Sequence, residues 1–176
     1  MTLKSLLILL LIILPFSLFA EDGKELFAAA AGGKLERVQA LLAQGVDVNS
    51  KIEQDRTPLM AASFNGNQRI VKTLLGYGAD VNLADKYGAT ALSDAILFGS
   101  TDIVSVLLAA GANVNAVDSQ NIKIVDKAKK LGRDNIVKLL EAAGGKGTEP
   151  KTEEKPAEEQ EPPAEKPAEE KAADKP

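Results

Sequence analysis

Between residues 57 and 82 the chain reads TPLMAASFNGNQRIVKTLLGYGADVN, and its apolar positions fall into two short clusters separated by a glycine. Thr57 suits a helix cap, and Pro58 suits the first helical position, where no amide donor is required. Leu59, Ala62 and Ser63 continue a narrow helical stripe, which Gly66 ends. In the second cluster Ile70, Val71, Leu74 and Leu75 recur at i, i+1, i+4 and i+5, one face of a second helix. Gly78 then supplies the left-handed residue that closes helices of this kind. Asp80 to Lys86 reads as extended and then turning, with Gly88 marking the return. The pattern predicts two short helices and a turn.

This unit recurs. GVDVN at 45–49, GADVN at 78–82 and GANVN at 111–115 place Gly45, Gly78 and Gly111 on a 33-residue ruler. The same step separates Gly33, Gly66, Gly99 and Gly132, then Val38, Val71, Val104 and Val137, then Leu41, Leu74, Leu107 and Leu140, then Ala29, Ala62, Ala95 and Ala128. A fixed period in this range marks a stacked-repeat architecture. Four units are expected, at about 21–51, 52–84, 85–117 and 118–145. Each helix pair is too short to be stable alone, and its apolar face is covered only when the next pair stacks on it, at a distance the small alanines permit. The expected fold is therefore an all-α repeat solenoid, with GADVN as the corner where one unit leaves its second helix and reaches for the next.

At these residues the sequence resembles the ankyrin repeat family, whose pattern runs D-x-x-G-x-T-P-L-H-x-A-A, then G, V-V-x-L-L and G-A-D-V-N. The third unit gives DKYGATALSDAILFGSTDIVSVLLAAGANVNA and the second DRTPLMAASFNGNQRIVKTLLGYGADVN. The resemblance covers about 125 residues and implies helix-turn-helix units joined by β-turn fingers. The family's histidine after TPL is Met60 in the second unit and Ser93 in the third, so the hydrogen bonding of that histidine must be replaced or absent. The first unit lacks a turn signal before Glu25. In the fourth, Lys123, Ile124 and Val125 replace TPL, and Lys127, Lys129 and Lys130 are added, so both ends read as polar caps.

Composition sets the flanks apart. Residues 1–20, MTLKSLLILLLIILPFSLFA, carry one lysine, an apolar run from Leu6 to Leu14, Pro15, and Ala20 before Glu21 and Asp22, which reads as a cleaved export signal. The uncharged run from Ser5 to Ala20 is 16 residues, short of the roughly 20 that a helix needs to cross hydrocarbon, so no stable membrane insertion is expected after cleavage. Leu18 at the minus-three position departs from the usual small residue. Residues 146–176 hold six of the eight prolines, ten acids and six lysines, with no Val, Ile, Leu, Met or aromatic residue. Such a segment cannot repay the entropy of ordering, and a disordered, charged tail is expected.

Chemistry is scarce. The chain has no His and no Cys, which removes the usual general base, the thiol nucleophile, the commonest zinc ligands and any disulfide framework. No phosphate loop or dinucleotide fingerprint is present, and the glycines at Gly32 and Gly33 belong to the inter-helix loop of the first unit. Residues 21–145 carry 14 basic and 15 acidic groups, a balance that does not point to nucleic acid. Asp47, Asp80 and Asn113 recur as parts of the corner. Asp94 stands where the other units have Ala28, Ala61 and Lys127, and an ion pair between Asp94 and Lys127 is expected. Lys123, Lys127, Lys129, Lys130 and Arg133 form a modest basic cluster that could meet an acidic surface but is expected to be a solvated cap.

The resemblance implies partner binding along a concave surface made by finger tips and first helices. Carried over by position, the tips are Lys51, Glu53, Gln54 and Arg56, then Lys86, Tyr87 and Ala89, then Ser119 and Gln120. The helix positions are Phe64 and Asn65, then Leu97 and Phe98, then Lys130 and Leu131. Two of the five phenylalanines and one of the two tyrosines fall among them, and aromatics there serve either as binding anchors or as packing between helix ends. The expected function is a non-enzymatic protein-interaction module or scaffold, exported, to the periplasm first and otherwise secreted or envelope-associated, and monomeric alone, with a protein partner, no cofactor, no metal and no catalytic residue. The alternatives are a structural envelope element anchored by the charged tail and, further off, an enzyme.

Overall fold

The computed structural model describes residues 21–148; the expected export signal at 1–20 and the expected tail from residue 149 onward lie outside the described residues. Helix α1 occupies residues 21–31 and is followed by α2 (Leu35–Ala43), a 3-10 turn (Glu53–Asp55), α3 (Pro58–Phe64), α4 (Gln68–Gly76), α5 (Ala91–Phe98), α6 (Thr101–Ala109), α7 (Ile124–Lys130) and α8 (Asp134–Ala142). First helices stack on first helices, α3 on α5 and α5 on α7, while second helices stack as α2, α4, α6 and α8. The described residues thus form a four-unit all-α solenoid, and none of their helices is long and apolar enough to cross a membrane.

The periodic positions are the core. Leu41, Leu74, Leu107 and Leu140 are buried, as are Val38, Val71, Val104 and Val137. Ala29, Ala62, Ala95 and Ala128 are buried where first helices meet, and a larger side chain there would hold the helices apart. Thr57 caps α3 by accepting from Met60 N at 3.3 Å, with Pro58 in the first turn. Thr90 and Ser93 build a reciprocal cap on α5, with Thr90 N donating to Ser93 Oγ at 2.8 Å and Ser93 N to Thr90 Oγ1 at 3.3 Å. Ser93 also donates to Thr90 O at 2.8 Å, so in the third unit a hydroxyl occupies the family's histidine slot and bonds locally. In the second unit Met60 fills that slot by burial alone.

The corners are tied from unit to unit by a ladder of asparagines. Asn49 Oδ1 accepts from Asp80 N at 2.8 Å, Asn82 Oδ1 from Asn113 N at 2.8 Å, and Asn115 Oδ1 from Lys146 N at 3.1 Å. Asp47, Asp80 and Asn113 each accept from the amide two residues on, so the repeating carboxylates are structural, as expected. The third rung extends the ordered stack past residue 145. Gly147 O accepts from Lys123 Nζ at 3.3 Å and Thr148 N donates to Asp126 Oδ1 at 2.9 Å, so residues 146–148, grouped with the tail by composition, are folded against α7.

The fingers are short hairpins. Antiparallel bridges pair Ala84 with Thr90 and Val117 with Lys123. Asp85 Oδ1 accepts from Tyr87 N and Ala89 N, and Asp118 Oδ1 accepts from Gln120 N and Ile122 N, which closes each tip as an Asx turn. The turn places a left-handed residue at one matching position, Gly88 (φ 72°) in the third unit, Asn121 (φ 59°) in the fourth and Asp55 (φ 61°) in the second, where Gln54 (φ 62°) before it is left-handed as well. Gly, Asn and Asp are the residue types that visit this region at least cost. Lys86 N donates to Gln54 O at 3.0 Å and Ser119 N to Tyr87 O at 2.9 Å, so neighbouring fingers are bonded into a continuous strip.

Candidate functional site

The strip of fingers and the carboxyl ends of the first helices present the residues singled out from the sequence. Lys51, Glu53, Gln54, Lys86, Tyr87, Ser119 and Gln120 are exposed on the fingers, and Phe64, Asn65, Leu97 and Phe98 are exposed at the ends of α3 and α5. Three apolar side chains are only about half covered: Phe64 at 45%, Leu97 at 42% and Phe98 at 52% exposure. Together with Asn65 they line one open depression of about 440 Å³. Tyr87, 56% exposed, lies on the finger strip and is not part of that lining.

Phe98 serves two ends at once. Its ring lies over Gly66 of the preceding unit, so close that a Cβ at Gly66 would meet Phe98 Cζ at 2.3 Å. The neighbouring joints use polar latches in the same place. Asn67 Nδ2 donates to Ala30 O at 2.8 Å, and Arg133 Nη2 donates to Leu97 O at 3.3 Å with its guanidinium over Gly99. In the third unit the equivalent latch position is Ser100, which instead caps α6, and Phe98 covers the joint. The packing reading of Phe98 therefore holds for the part of the ring over Gly66, while the rest of the side chain stays exposed.

Arg56 differs from the other finger residues. Its side chain is turned inward and is only 20% exposed, with Nη1 at 3.2 Å from Asp85 Oδ2 and Nη2 at 2.9 Å from Asp94 Oδ2. The contact to Asp94 is an ion pair whose N–H is not aimed at Oδ2, which has no aligned hydrogen-bond donor. The expected Asp94–Lys127 pair is not formed: Lys127 contributes only a weaker, more distant attraction, and Asp94 is buried against Arg56. Burial pushes the Asp94 carboxyl up to about 6, against the opposing pull of Arg56. The physical reason for the correction is reach. Lys127 occupies the matching slot of the next unit, but the Arg56 guanidinium enters from the preceding finger and fills the space beside Asp94 first. The sequence carried one signal of this cluster, a lone carboxylate in a slot that is otherwise Ala or Lys.

The fourth-unit cations are also partly engaged. Lys129 pairs with Glu141 at 3.1 Å, Lys123 donates to Gly147 O and Arg133 to Leu97 O, while Lys127 and Lys130 form no ion pair among the described residues. No group of three potential metal-ligating side chains occurs among the described residues.

What the arrangement offers is surface, half-exposed apolar side chains on a frame of bonded fingers and packed helices, rather than an enclosed cleft with convergent polar groups. Comparison with curated proteins gives no match. A sequence model of ankyrin repeats in three copies matches residues 26–118, more than half of the chain, and the described helices, corners and fingers have the spacing that such repeats require: the chain belongs to the ankyrin-repeat family, whose members generally act as protein-protein interaction modules.

Proposed function

We propose that the protein is a non-enzymatic binding module exported to the periplasm, where it holds a client protein on the concave face formed by its fingers and first helices. The observation that carries the reading is the depression lined by Phe64, Leu97 and Phe98, each with 42–52% of its surface exposed. Exposed aromatic and aliphatic side chains gathered at one place are what interface anchors look like before the partner arrives. Export is supported by the apolar run at residues 6–14 and the small Ala20 ahead of Glu21. Absence of His and Cys supports a role without chemistry.

The test compares the wild-type chain with a Phe64→Ala, Tyr87→Ala, Phe98→Ala variant, both used to capture proteins from an envelope extract. A protein held by the wild type and released by the helical, folded variant supports the concave face. Capture unaffected by the triple change moves the binding surface elsewhere and overturns the assignment.

A further inference from the structure

The inter-helix ridge differs in charge from the rest of the repeat region. Four equivalent quartets form it, residues 31–34, 64–67, 97–100 and 130–133, and across these 16 positions stand Lys34, Lys130 and Arg133 with no carboxylate. The repeat region as a whole carries 14 basic and 15 acidic groups. The carboxylates nearest to the ridge in sequence, Glu36, Asp102 and Asp134, lie in the first turns of second helices; Glu36 and Asp134 line the depressions beside Gly33 and Arg133, and none lines the one between Phe64, Leu97 and Phe98. The cations also sit at the two ends. Lys34 belongs to the first unit and Lys130 and Arg133 to the fourth, with Phe64, Leu97 and Phe98 between them and Leu131 also exposed.

Lys130 occupies the slot that is Leu97 in the third unit and Phe64 in the second, 33 and 66 residues back. The row therefore reads apolar, apolar, basic along the stack. Helices pack at roughly 8–10 Å, so three steps from the first unit to the fourth place the terminal cations roughly 30 Å apart. That span equals about nine residues of extended chain at roughly 3.3 Å each.

Building on the concave-face reading above, we infer that the occupant of this ridge is an extended acidic-apolar segment of a partner protein: one or two bulky apolar side chains seated between Phe64, Leu97 and Phe98, with carboxylates about four or five residues to either side meeting Lys34 and Lys130. The apolar centre supplies the anchor, and the exposed cations select against basic partners and speed encounter. Residues 146–176 of the chain itself are acidic but contain no Val, Ile, Leu, Met or aromatic residue, so they lack the side chain that the depression accommodates.

A library of random 12-residue peptides displayed on phage and panned on the immobilised full chain reads the chemistry directly. Enriched peptides are expected to carry Leu, Phe or Trp flanked by Asp or Glu. A synthetic consensus peptide should lose roughly tenfold in affinity to Phe98→Ala, as expected for an anchor, and roughly tenfold to the doubly substituted Lys34→Glu, Lys130→Glu chain, from two rim charges reversed. Circular dichroism establishes that both variants are folded. Selected peptides that are basic or apolar without acids, yet still weakened by Phe98→Ala, overturn the acidic chemistry while leaving the concave face as the binding surface. Peptides insensitive to both variants overturn the two readings together. Enrichment seen only after removal of residues 149–176 makes the tail the occupant and overturns this inference, as does the enrichment of no peptide.

Discussion

Arg56 Nη2 lies 2.9 Å from Asp94 Oδ2, and Arg56 Nη1 lies 3.2 Å from Asp85 Oδ2, so one guanidinium from the second unit serves two buried carboxylates of the third. Two negative charges share one positive charge in a site where water is scarce. Such a cluster carries an uncompensated charge whenever both acids are ionised. Its stability contribution consequently depends on pH in a direction opposite to that of most salt-bridged aspartates.

The carboxyl of Asp94 is raised from 3.8 to about 6, first by burial and then by the nearby Asp85, against the attraction of Arg56 and Lys127. A group whose folded value exceeds its unfolded value contributes stability that is fully present below about 3.8 and is lost as pH rises through about 6. A shift of this size corresponds to about 3 kcal/mol at most. The protein is expected to melt at a higher temperature at pH 5 than at pH 7.5, and Asp94→Asn is expected to flatten the profile between those values. At pH 7.5 the Asn variant should match or exceed the wild type, by about 1 kcal/mol, since it removes a buried charge while Arg56 keeps Asp85. Thermal melts of both proteins across pH 4 to 8 check this, and a wild-type melting temperature that falls steadily from pH 7.5 to 5 contradicts it.

Arg56→Met leaves Asp85 and Asp94 without their cation. Removing one partner of a buried charge cluster is strongly destabilising, and a loss of about 3 kcal/mol is expected at pH 7.5. Acidification should restore part of that loss, because protonated Asp94 needs no counter-charge. Urea unfolding at pH 7.5 and pH 5 measures both numbers. Equal losses at the two pH values mean that Arg56 acts by packing its chain rather than by its charge.

Gly66 and Gly78 both require a left-handed backbone, with φ of 74° and 85°, yet they differ in surroundings. A Cβ at Gly78 meets nothing within 4 Å, while one at Gly66 meets the Phe98 ring at 2.3 Å. Gly78→Ala should cost about 1 kcal/mol, the backbone contribution alone. Gly66→Ala should cost about 2 kcal/mol, since the ring must also leave its seat. In a Phe98→Ala background the two substitutions should become equal, and a double-mutant cycle gives the coupling. A coupling indistinguishable from zero would falsify the placement of Phe98 over Gly66.

Much of the stack was legible because the repeat ruler is written in side chains that face inward. Leu74 and Val71 recur with their counterparts, and all are buried; Thr57 and Pro58 announce α3 and begin it. Slot matching fails where a long side chain leaves its own layer. Asp94 and Lys127 share a slot in successive units, but the slot says nothing of the finger above, from which Arg56 reaches down. Tyr87 and Phe98 likewise share a unit and are both exposed, yet only Phe98 lines the depression, because the finger and the helix end project from different places. Composition misleads in a different way at Lys146. That residue begins a run without large apolar side chains, but Gly144 stands 33 residues after Gly111 with φ of 88°, and this continuation of the ruler was the available signal.

That continuation yields the final prediction, which concerns how the stack is closed. Residues 146–148 are held to the fourth unit by Lys146 N on Asn115 Oδ1 at 3.1 Å, by Thr148 N on Asp126 Oδ1 at 2.9 Å and by the Thr148 hydroxyl on Asp126 Oδ2. The hydroxyl contact, and to a lesser degree the amide, hold the Asp126 carboxyl below its usual range, against an opposing effect of burial that exceeds the amide's. A chain ending at Gly145 should be less stable than one ending at Thr148 by about 1–2 kcal/mol, the worth of a few exposed, partly charge-assisted bonds. Terminal units of a solenoid have a neighbour on one side only, so the loss should be local, with amide exchange in α7 and α8 accelerated and that in α3 and α4 unchanged. Because the folded carboxyl value is lowered, the part of the difference carried by Asp126 should be present above about pH 3.8 and be lost as pH falls through the folded value, leaving the part carried by Lys146 N on Asn115. Exchange rates that are identical in α7 for the two chains at pH 7 show that residues 146–148 do not hold the end of the stack.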